Sequence, residues 1–344
     1  MRVGILYNLV DKVERGRDID KLADNEVYQT AHAVKEALSK RGHETELVRI
    51  TPFISRLKEQ IDSFQGKYDL IFNLAEGVGS SVIAEPKIVH YLKKAGIPFT
   101  GCDAYSLALC MNKIKTKEAL VKNNIPTPPY QLFKNHADAL NESLKFPLIV
   151  KPLHEDGSIG ITTDSIANDE QELRERVKNI VEEYKQPAIV EEYIDGREIN
   201  AAIIGNEKPE ALPLSEIIFN FPENIPKIVS FEAKWLEESE QYKGTVGKCP
   251  AELPDDVMQS IIETAKKAFK TVKCSDYARV DFRIRDGQLY VLEVNPNPCI
   301  NPNGAGFIRS ANAAGYSYDD IINKIIEVAN QRNQQSHPKK QGML

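Results

Sequence analysis

The sequence predicts an α/β protein whose N-terminal part is a parallel sheet covered by helices on both faces. Short apolar runs alternate with amphipathic segments over the first hundred residues, and strand–helix–strand alternation is typical of such a layer. The chain has 344 residues, enough for two or three packed subdomains. Hydrophobic residues make up 42% and charged residues 27%, as is common in soluble globular proteins.

Residues 1–101 are expected to form the first subdomain, which ends near Gly101. Its elements are, in order, a strand in RVGILYN, a helix in NEVYQTAHAVKEALSKRG, strands in ETELVRI and DLIFNLAEG, and a helix in AEPKIVHYLKKAGIPFTG.

Residues 102–191 are expected to form the second subdomain. A lysine-rich helix in CMNKIKTKEALVKNNIPTPPYQLF ends at the prolines. After it come a buried strand in FPLIVKP, a glycine-bearing loop in HEDGSIG, a charged helix in QELRERVKNIVEEYK and a strand in PAIVEEY.

Residues 192–344 are expected to form the third subdomain. The segment from Gly205 to Cys249 has no clear periodicity, which at this length indicates a functional loop or lid. Beyond it we expect a helix near 254–271, strands in YARVDFRIR and QLYVLEVN, and a helix near 317–331. The tail HPKKQGML is expected to be frayed.

Charge and cysteine usage exclude several classes of protein. The net charge is −6, so a general affinity for nucleic acid or an anionic membrane is not expected. The N-terminal apolar run is too short for a secretory signal, and no run of about 18 apolar residues predicts a membrane span. The five cysteines are scattered without a C-x-x-C pair, which argues against a zinc ribbon or a disulfide framework and indicates a reducing, cytoplasmic setting.

The run YVLEVNPNP carries a carboxylate and an amide on one β-strand. Residues two apart on a strand share a face, so Glu293 and Asn295 should point together, with Leu292 and Val294 on the other face. Two adjacent oxygen ligands suit a hard cation such as Mg²⁺. The alternative is an edge strand that merely ends in polar residues.

A neighbouring strand adds Arg279 and Asp281 through a hairpin around Asp286–Gly287. For Asp281 to lie opposite Glu293, and Arg279 opposite Asn295, the loop needs an odd number of residues, such as 286–288. A two-residue turn would put Asp281 on the wrong face. If the faces coincide, the surface can bind metal ions and an anion together.

Two further stretches suit a nucleotide. Lys151 precedes the loop Gly157-Ser158-Ile159-Gly160, whose backbone N–H groups could close over phosphates, and Lys113 heads the lysine-rich helix. An ordinary turn and a solvated helix face are the alternatives. The run Glu191-Glu192-Tyr193-Ile194, followed by Glu198, could offer backbone groups to a base and a carboxylate to ribose, although ordinary charged strand ends look the same.

The order of these motifs resembles the ATP-grasp superfamily and, more closely, the D-alanine:D-alanine ligase family. The similarity runs from about Ile97 to Val328 and rests on FTG, MNKIKTK, VKP, GSIG, EAKW, CPA, ARVDF and LEVNPNP, all in family order. It implies an ATP-grasp fold in which the second and third subdomains hold ATP between two α+β units.

The resemblance also implies a role for each matched residue. Phosphates would be contacted by Lys113, Lys151, Lys234 and the loop at Gly157 and Ser158; adenine by Glu191, Glu192 and Ile194; ribose by Glu198; and two Mg²⁺ ions, or Mn²⁺, by Asp281, Glu293 and Asn295. Leu292 is a further candidate for contact with the nucleotide. Arg279 would stabilise an oxyanion. Closure of residues 220–250 would keep water away from an acyl phosphate.

The sequence departs from the family where the amino-acid substrates should bind. The family's N-terminal Gly-Gly-x-Ser-x-Glu-x-Glu-Val-Ser run is missing, but Glu26-Val27-Tyr28 could align with its end, which makes Glu26 a candidate for the first substrate's ammonium. The family's catalytic serine position is Gly157, so only Ser158 remains as a catalytic hydroxyl. Its loop tyrosine is Trp235, which cannot accept a hydrogen bond.

The stretches that hold the second substrate's carboxylate in the family also differ. Pro-Gly-Met-Thr and Ser-Leu become Pro298-Cys299-Ile300-Asn301 and Gly304-Ala305. Cys299 is rejected as a nucleophile, because no histidine lies near it in sequence and ATP-grasp chemistry needs no thiol.

Three functions are therefore weighed. The first is an ATP-dependent carboxylate–amine ligase for amino acids or small peptides, acting through an acyl phosphate in the cytoplasm; a homodimer is left open. The second is an authentic D-alanine:D-alanine ligase of cell-wall synthesis. The third is an ATP-binding regulatory module without catalysis, which the presence of Arg279 beside the full metal set argues against.

Overall fold

The computed structural model describes residues 1–11, 13–24, 26–222 and 224–336. The tail HPKKQGML, predicted to be frayed, lies outside the described residues. In the part of the chain that is described, no helix is both long and apolar enough to cross a membrane.

The N-terminal layer is a parallel sheet in the order β2-β1-β3, as predicted. Its strands are β1 (Arg2–Tyr7), β2 (Glu44–Arg49) and β3 (Leu70–Asn73), and its helices are α1 (Lys21–Asp24), α2 (Glu26–Lys40), α3 (Ile54–Asp62) and α4 (Glu85–Lys94). Neighbouring residues of β1 point to opposite faces, so Ile5 joins the core under α2 and Leu6 the core under α3 and α4. Helices therefore cover both faces.

The second sheet is antiparallel and has the order β4-β7-β5-β6. Its elements, with the two helices that precede it, are α5 (Ala104–Met111), α6 (Lys113–Lys122), β4 (Tyr130–Phe133), β5 (Leu148–Pro152), β6 (Ile166–Ala167), α7 (Glu170–Tyr184) and β7 (Ala188–Glu192). The side-chain oxygen of Asn112 accepts a hydrogen bond from the Lys115 N–H (3.0 Å), and this cap fixes the start of α6 at Lys113.

The third sheet is antiparallel in the order β11-β10-β8-β12-β13, with β9 beside β8. Its strands are β8 (Arg197–Ile204), β9 (Glu210–Ala211), β10 (Ser215–Phe219), β11 (Thr245–Lys248), β12 (Tyr277–Arg285) and β13 (Gln288–Pro296). The accompanying helices are α8 (Phe231–Trp235), α9 (Glu240–Gly244), α10 (Asp255–Thr271), α11 (Gly306–Ala313) and α12 (Tyr318–Ser336). The segment predicted as a loop or lid thus supplies three strands and two short helices.

Helix α12 returns to the N-terminal layer. Ile322 and Ile325 share one core with Val27 and Val34 of α2. The first and third sheets fall within the expected subdomains, and the second extends one residue past its expected end, to Glu192 of β7. The subdomain boundaries stay a prediction.

The hairpin of β12 and β13 has the predicted pairing but not the predicted loop. Asp281 lies opposite Glu293, and Arg279 opposite Asn295. The three-residue loop was wrong: Arg285 pairs with Gln288, so the turn has two residues, both with positive φ as in a type I′ turn.

A β-bulge reconciles the short turn with this pairing. The strand register shifts between Asp281 and Phe282, which leaves Leu292 as the extra residue of β13. The core positions are Leu289, Val291 and Val294, whereas Leu292 is half-buried and outside the core. The expectation that Leu292 packs on the face of Val294 was therefore wrong.

Candidate active site

The hairpin residues lie opposite one another as predicted, and they form one hydrogen-bonded group. Arg279 donates from Nε and Nη2 to the two carboxylate oxygens of Asp281, both at 2.8 Å. The amide nitrogen of Asn295 donates to Asp281 (2.9 Å) and to Glu293 (3.3 Å). Asn200 of β8 also donates to Asp281 (2.7 Å). Sequence reasoning missed Asn200, because the pairing of β8 with β12 cannot be read from the chain order.

The electrostatics of this group suit a bound cation. Burial, and then the charge of Asp281, raises the pKa of Glu293, while Lys113 and Lys151 lower it. The pKa of Arg279 is raised: burial opposes this, but Asp281 outweighs burial. Within the described residues no cluster of three or more His, Cys, Asp or Glu could hold a metal. Two carboxylates that repel each other, with one amide oxygen, still fit a hard cation that keeps several waters.

A basic cluster lies on the second sheet and α6. The Glu191 carboxylate, 1% exposed, is 3.3 Å from the Lys151 ammonium and 3.1 Å from the Lys117 ammonium. Although burial raises the pKa of Glu191, the two lysines hold it below its ordinary value. The other Glu191 oxygen, Oε1, is buried without a partner among the described residues. A ligand that donates a hydrogen bond would satisfy it.

Lys117 is the second site residue that sequence reasoning missed. The residue is 1% exposed, and its ammonium also donates to Thr127 (2.7 Å) and to the Leu292 carbonyl at the bulge (3.4 Å). Burial lowers its pKa to about 8, against the opposing charge of Glu191. The available signal was its spacing of four residues from Lys113 on one helix, which puts both on the same face.

The predicted phosphate lysine Lys113 faces the glycine loop. Its ammonium donates to the Glu155 carbonyl and lies 3.9 Å from the Asp156 carboxylate.

The predicted base and ribose residues separate into two groups. Glu192 is half-buried and accepts from the Lys145 N–H (3.0 Å), on the other face of β7 from Glu191. Ile194 is buried, and its carbonyl is 3.5 Å from Nη1 of Arg283. Glu198 is bound by Arg283 through Nε (3.0 Å) and Nη2 (2.7 Å). Burial raises the pKa of Glu198, and Arg283, also missed from the sequence, opposes that rise.

The glycine loop and helix α8 are in contact. Trp235 donates its indole N–H to the Gly157 carbonyl (2.8 Å), and Ser158 donates its hydroxyl to the Val229 carbonyl (2.7 Å). The Lys234 ammonium lies 4.7 Å from the centre of the Trp235 ring. A Cβ placed on Gly157 would be 3.9 Å from that ammonium. The Ser158 hydroxyl thus joins the glycine loop to the segment before α8, and its catalytic role stays a prediction.

A segment before α2 also contacts the loop after β5, helix α7 and helix α8, which the sequence did not reveal. Arg15 donates to both oxygens of the buried Glu155 (2.6 and 2.7 Å). Tyr184 donates to Asp20 (3.0 Å), and the Arg17 guanidinium lies 5.2 Å from the centre of the Phe231 ring.

Glu26 is half-buried and lines a small cavity together with Cys299. Burial and then the charge of Glu26 raise the pKa of Cys299 to about 12, so its thiol is protonated at neutral pH. The rejection of a nucleophilic role agrees with this. The cavity is also lined by Asn73, whose amide nitrogen is buried without a partner among the described residues.

Three comparisons relate this chain to known proteins. A family model described as "D-ala D-ala ligase C-terminus" matches residues 120–327. An uncharacterized protein, y4sG, of Sinorhizobium fredii is 34% identical over 88% of this chain and 88% of its own length. The D-alanine–D-alanine ligase of Carboxydothermus hydrogenoformans is 31% identical over 87% of this chain and 91% of its own length.

The crystal structure of the D-alanine–D-alanine ligase from Bacillus anthracis complexed with ATP matches with a TM-score of 0.75 at 24% identity. The match covers 98% of this chain and 99% of that one. The predicted ATP-grasp fold is thereby confirmed.

Proposed function

This chain belongs to the D-alanine–D-alanine ligase family, and on that premise we propose that it joins a carboxylate to an amine on amino-acid or small-peptide substrates other than D-alanine. As a member of that family it is an ATP-dependent ligase that forms a C–N bond. The choice of substrates, the metal and the role of each residue are our proposal. It includes a cytoplasmic location, where ATP is available.

The hairpin pairing is the observation that carries the proposal. It gathers Arg279, Asp281, Glu293 and Asn295 on one face. Asp281, Glu293 and Asn295 would hold Mg²⁺, which when bound neutralises phosphate charge and orients the γ-phosphate. A module that only binds ATP has no use for an arginine in this group.

Lysines and the glycine loop bind the phosphates of ATP. Lys113 meets them from the start of α6, Lys151 from β5, and Lys234 from α8 beside Gly157. The buried Oε1 of Glu191 accepts a hydrogen bond from the base.

Two bond-forming steps complete the reaction. The substrate carboxylate attacks the γ-phosphorus of ATP, and ADP leaves with the electron pair of the broken P–O bond. The deprotonated amine then adds to the acyl phosphate carbonyl, and phosphate leaves. Arg279 uses Nε and Nη2 on Asp281, so Nη1 remains to donate to the oxyanion.

The experiment is a screen for ADP release with ATP and Mg²⁺ over pairs of D- and L-amino acids and dipeptides. We expect ADP release only when carboxylate and amine substrates are both present, with an equal amount of condensed product by mass spectrometry. Efficient D-alanyl-D-alanine formation would favour the authentic ligase. ATP binding without ADP release for any pair would favour the non-catalytic module.

A further inference from the structure

Arg309 of α11 is a half-buried cation that makes no ion pair in the described part of the chain. It donates from Nε to the Ser215 hydroxyl and from Nη1 to the Gly304 carbonyl, both at 2.8 Å and both neutral acceptors. By contrast, Arg279 pairs with Asp281 and Arg283 with Glu198. Withdrawing a guanidinium from water without a counter-charge is unfavourable, so an anion is the missing partner.

One glycine makes room for this guanidinium, and a second lies between it and Arg279. A Cβ on Gly306 would stand 3.4 Å from Cδ of Arg279 and 3.5 Å from Nη2 of Arg309, so both side chains flank one point. A Cβ on Gly247 would collide with the Arg309 guanidinium, which lies against the backbone of β11. Burial, and then the charge of Arg279, lowers the pKa of Arg309.

The start of α11 adds donors at the same place. The residue before the helix is Ala305, which has no side-chain acceptor to cap it. The first backbone N–H groups of α11 are therefore left for another acceptor, and the start of a helix favours an anion.

We propose that Arg309 binds the carboxylate of the amine-bearing substrate, so that this substrate is an α-amino acid or a peptide with a free C-terminus rather than a simple amine. The inference rests on the proposed function. Arg279 is engaged with Asp281 and the oxyanion, and the adjacent donor is Nη2 of Arg309, which has no acceptor among the described residues. A carboxylate held by arginine is a poor nucleophile, so Arg309 suits the carboxylate that does not react. In the proposed function the phosphates are bound by lysines of α6, β5 and α8.

The kinetic test compares acceptors with and without a carboxylate, using an amine substrate found in the ADP-release screen and its carboxamide. In R309Q we expect KM for the carboxylate acceptor to rise about 30-fold, which corresponds to about 2 kcal/mol. KM for ATP and KM for the carboxamide should change less than threefold. R309K should recover part of the loss. The control R56Q removes an exposed arginine of α3 and should match wild type.

Two kinetic outcomes would overturn the assignment. One is an equal loss for the carboxylate and carboxamide acceptors. The other is a rise in KM for ATP that exceeds the rise in KM for the acceptor, since Arg309 would then bind the phosphates of ATP.

A binding measurement separates this inference from the proposed function. If no substrate pair releases ADP, the proposed function fails, and saturation-transfer NMR with glycine and glycinamide, in the presence of ADP, decides on Arg309. Contact with glycine but not glycinamide in wild type and R56Q, and with neither in R309Q, would support it. Glycine contact that survives in R309Q, or that is missing in wild type, would refute it.

Discussion

Two parts of the proposed site differ in how their charges are compensated. They are the nucleotide half, around Glu191 and Asp281, and the amino-acid half, around Arg309. In the nucleotide half the chain supplies partners for its own charges: Lys117 and Lys151 bind Glu191, and Arg279 binds Asp281. In the amino-acid half, Arg309 has no ion-pair partner among the described residues. The nucleotide half is therefore organised before a ligand binds, whereas in our proposal the charge of Arg309 is compensated only by the substrate.

This difference suggests which part of the family's chemistry is kept. Paired charges hold side chains where ATP needs them, at no cost of reorganisation during the reaction. By the family resemblance, Gly157 and Trp235 stand where the family has a serine and a tyrosine for its amino acids. The reaction is thus expected to be retained while the substrates differ.

The largest expected effect comes from breaking the nucleotide half at Glu293. Glu293→Gln keeps the side-chain volume but removes a charge from the metal group, so ADP release should fall by about 1000-fold. The melting temperature without Mg²⁺ should stay the same or rise, because the folded state raises the pKa of Glu293 and so disfavours the charged form.

The matched control is Glu252→Gln, an exposed glutamate paired with Lys248, which should release ADP at the wild-type rate. Near wild-type ADP release by Glu293→Gln, with an unchanged Mg²⁺ titration, would show that Glu293 is not a ligand.

From the amino-acid half we predict that the rate of dipeptide formation from D-alanine is at least about 100-fold lower than the rate of ligation of the true substrate pair. Each buried polar group left without its partner costs about 1 to 3 kcal/mol, and several such groups differ here. Gly157 has no hydroxyl. The indole N–H of Trp235 donates to the Gly157 carbonyl and the Ser158 hydroxyl donates to the Val229 carbonyl, so neither donor is directed to a substrate. The measurement is dipeptide formation from millimolar D-alanine. Efficient synthesis would mean that the amino-acid half works like that of the named ligases.

The sequence predicted most of the nucleotide half because its signals are local. Alternation within strands and motif order placed Asp281, Glu293 and Asn295 on one face. The turn was predicted wrongly because a bulge at Leu292 and a two-residue turn give the same pairing near Asp281 as a longer loop. No alternation pattern reveals where a strand takes in an extra residue.

Contacts between distant segments could not be predicted from the chain. Asn200 reaches Asp281 across neighbouring strands, and Arg15 reaches Glu155 across subdomains. Lys117 looked like one more lysine of a solvated face, although its environment is entirely buried. Arg309 stands out only in the structure, where its described acceptors are a hydroxyl and a carbonyl and not a carboxylate.

The third prediction removes one of the paired charges of the nucleotide half. Lys117→Met leaves the buried Glu191 with Lys151 alone and frees the carbonyl at the Leu292 bulge. The free energy of unfolding should fall by about 3 kcal/mol, as for other buried pairs that lose one partner. Denaturant unfolding measures it. A double variant with Glu191→Gln should recover part of the loss, and a loss below about 0.5 kcal/mol for the single variant would contradict a paired, buried site.

The smallest expected effect is the pH dependence of the same pair. The unfolded chain holds the proton on Lys117 up to its ordinary pKa of 10.5, whereas burial lowers the pKa to about 8 in the folded state. Between these values the unfolded state binds more protons, so raising the pH favours the folded state.

Wild type should therefore gain up to about 2 kcal/mol of unfolding free energy relative to Lys117→Met between pH 8 and pH 10. Below pH 8 the difference should stay constant, since Lys117 is then charged in both states. The measurement is denaturant unfolding of both proteins across this range, and subtracting the two curves removes the titration of groups away from Lys117 and its neighbours Lys151 and Glu191. Parallel curves from pH 8 to pH 10 would show that Lys117 keeps its ordinary pKa, and that the nucleotide half is more open to water than its buried contacts indicate.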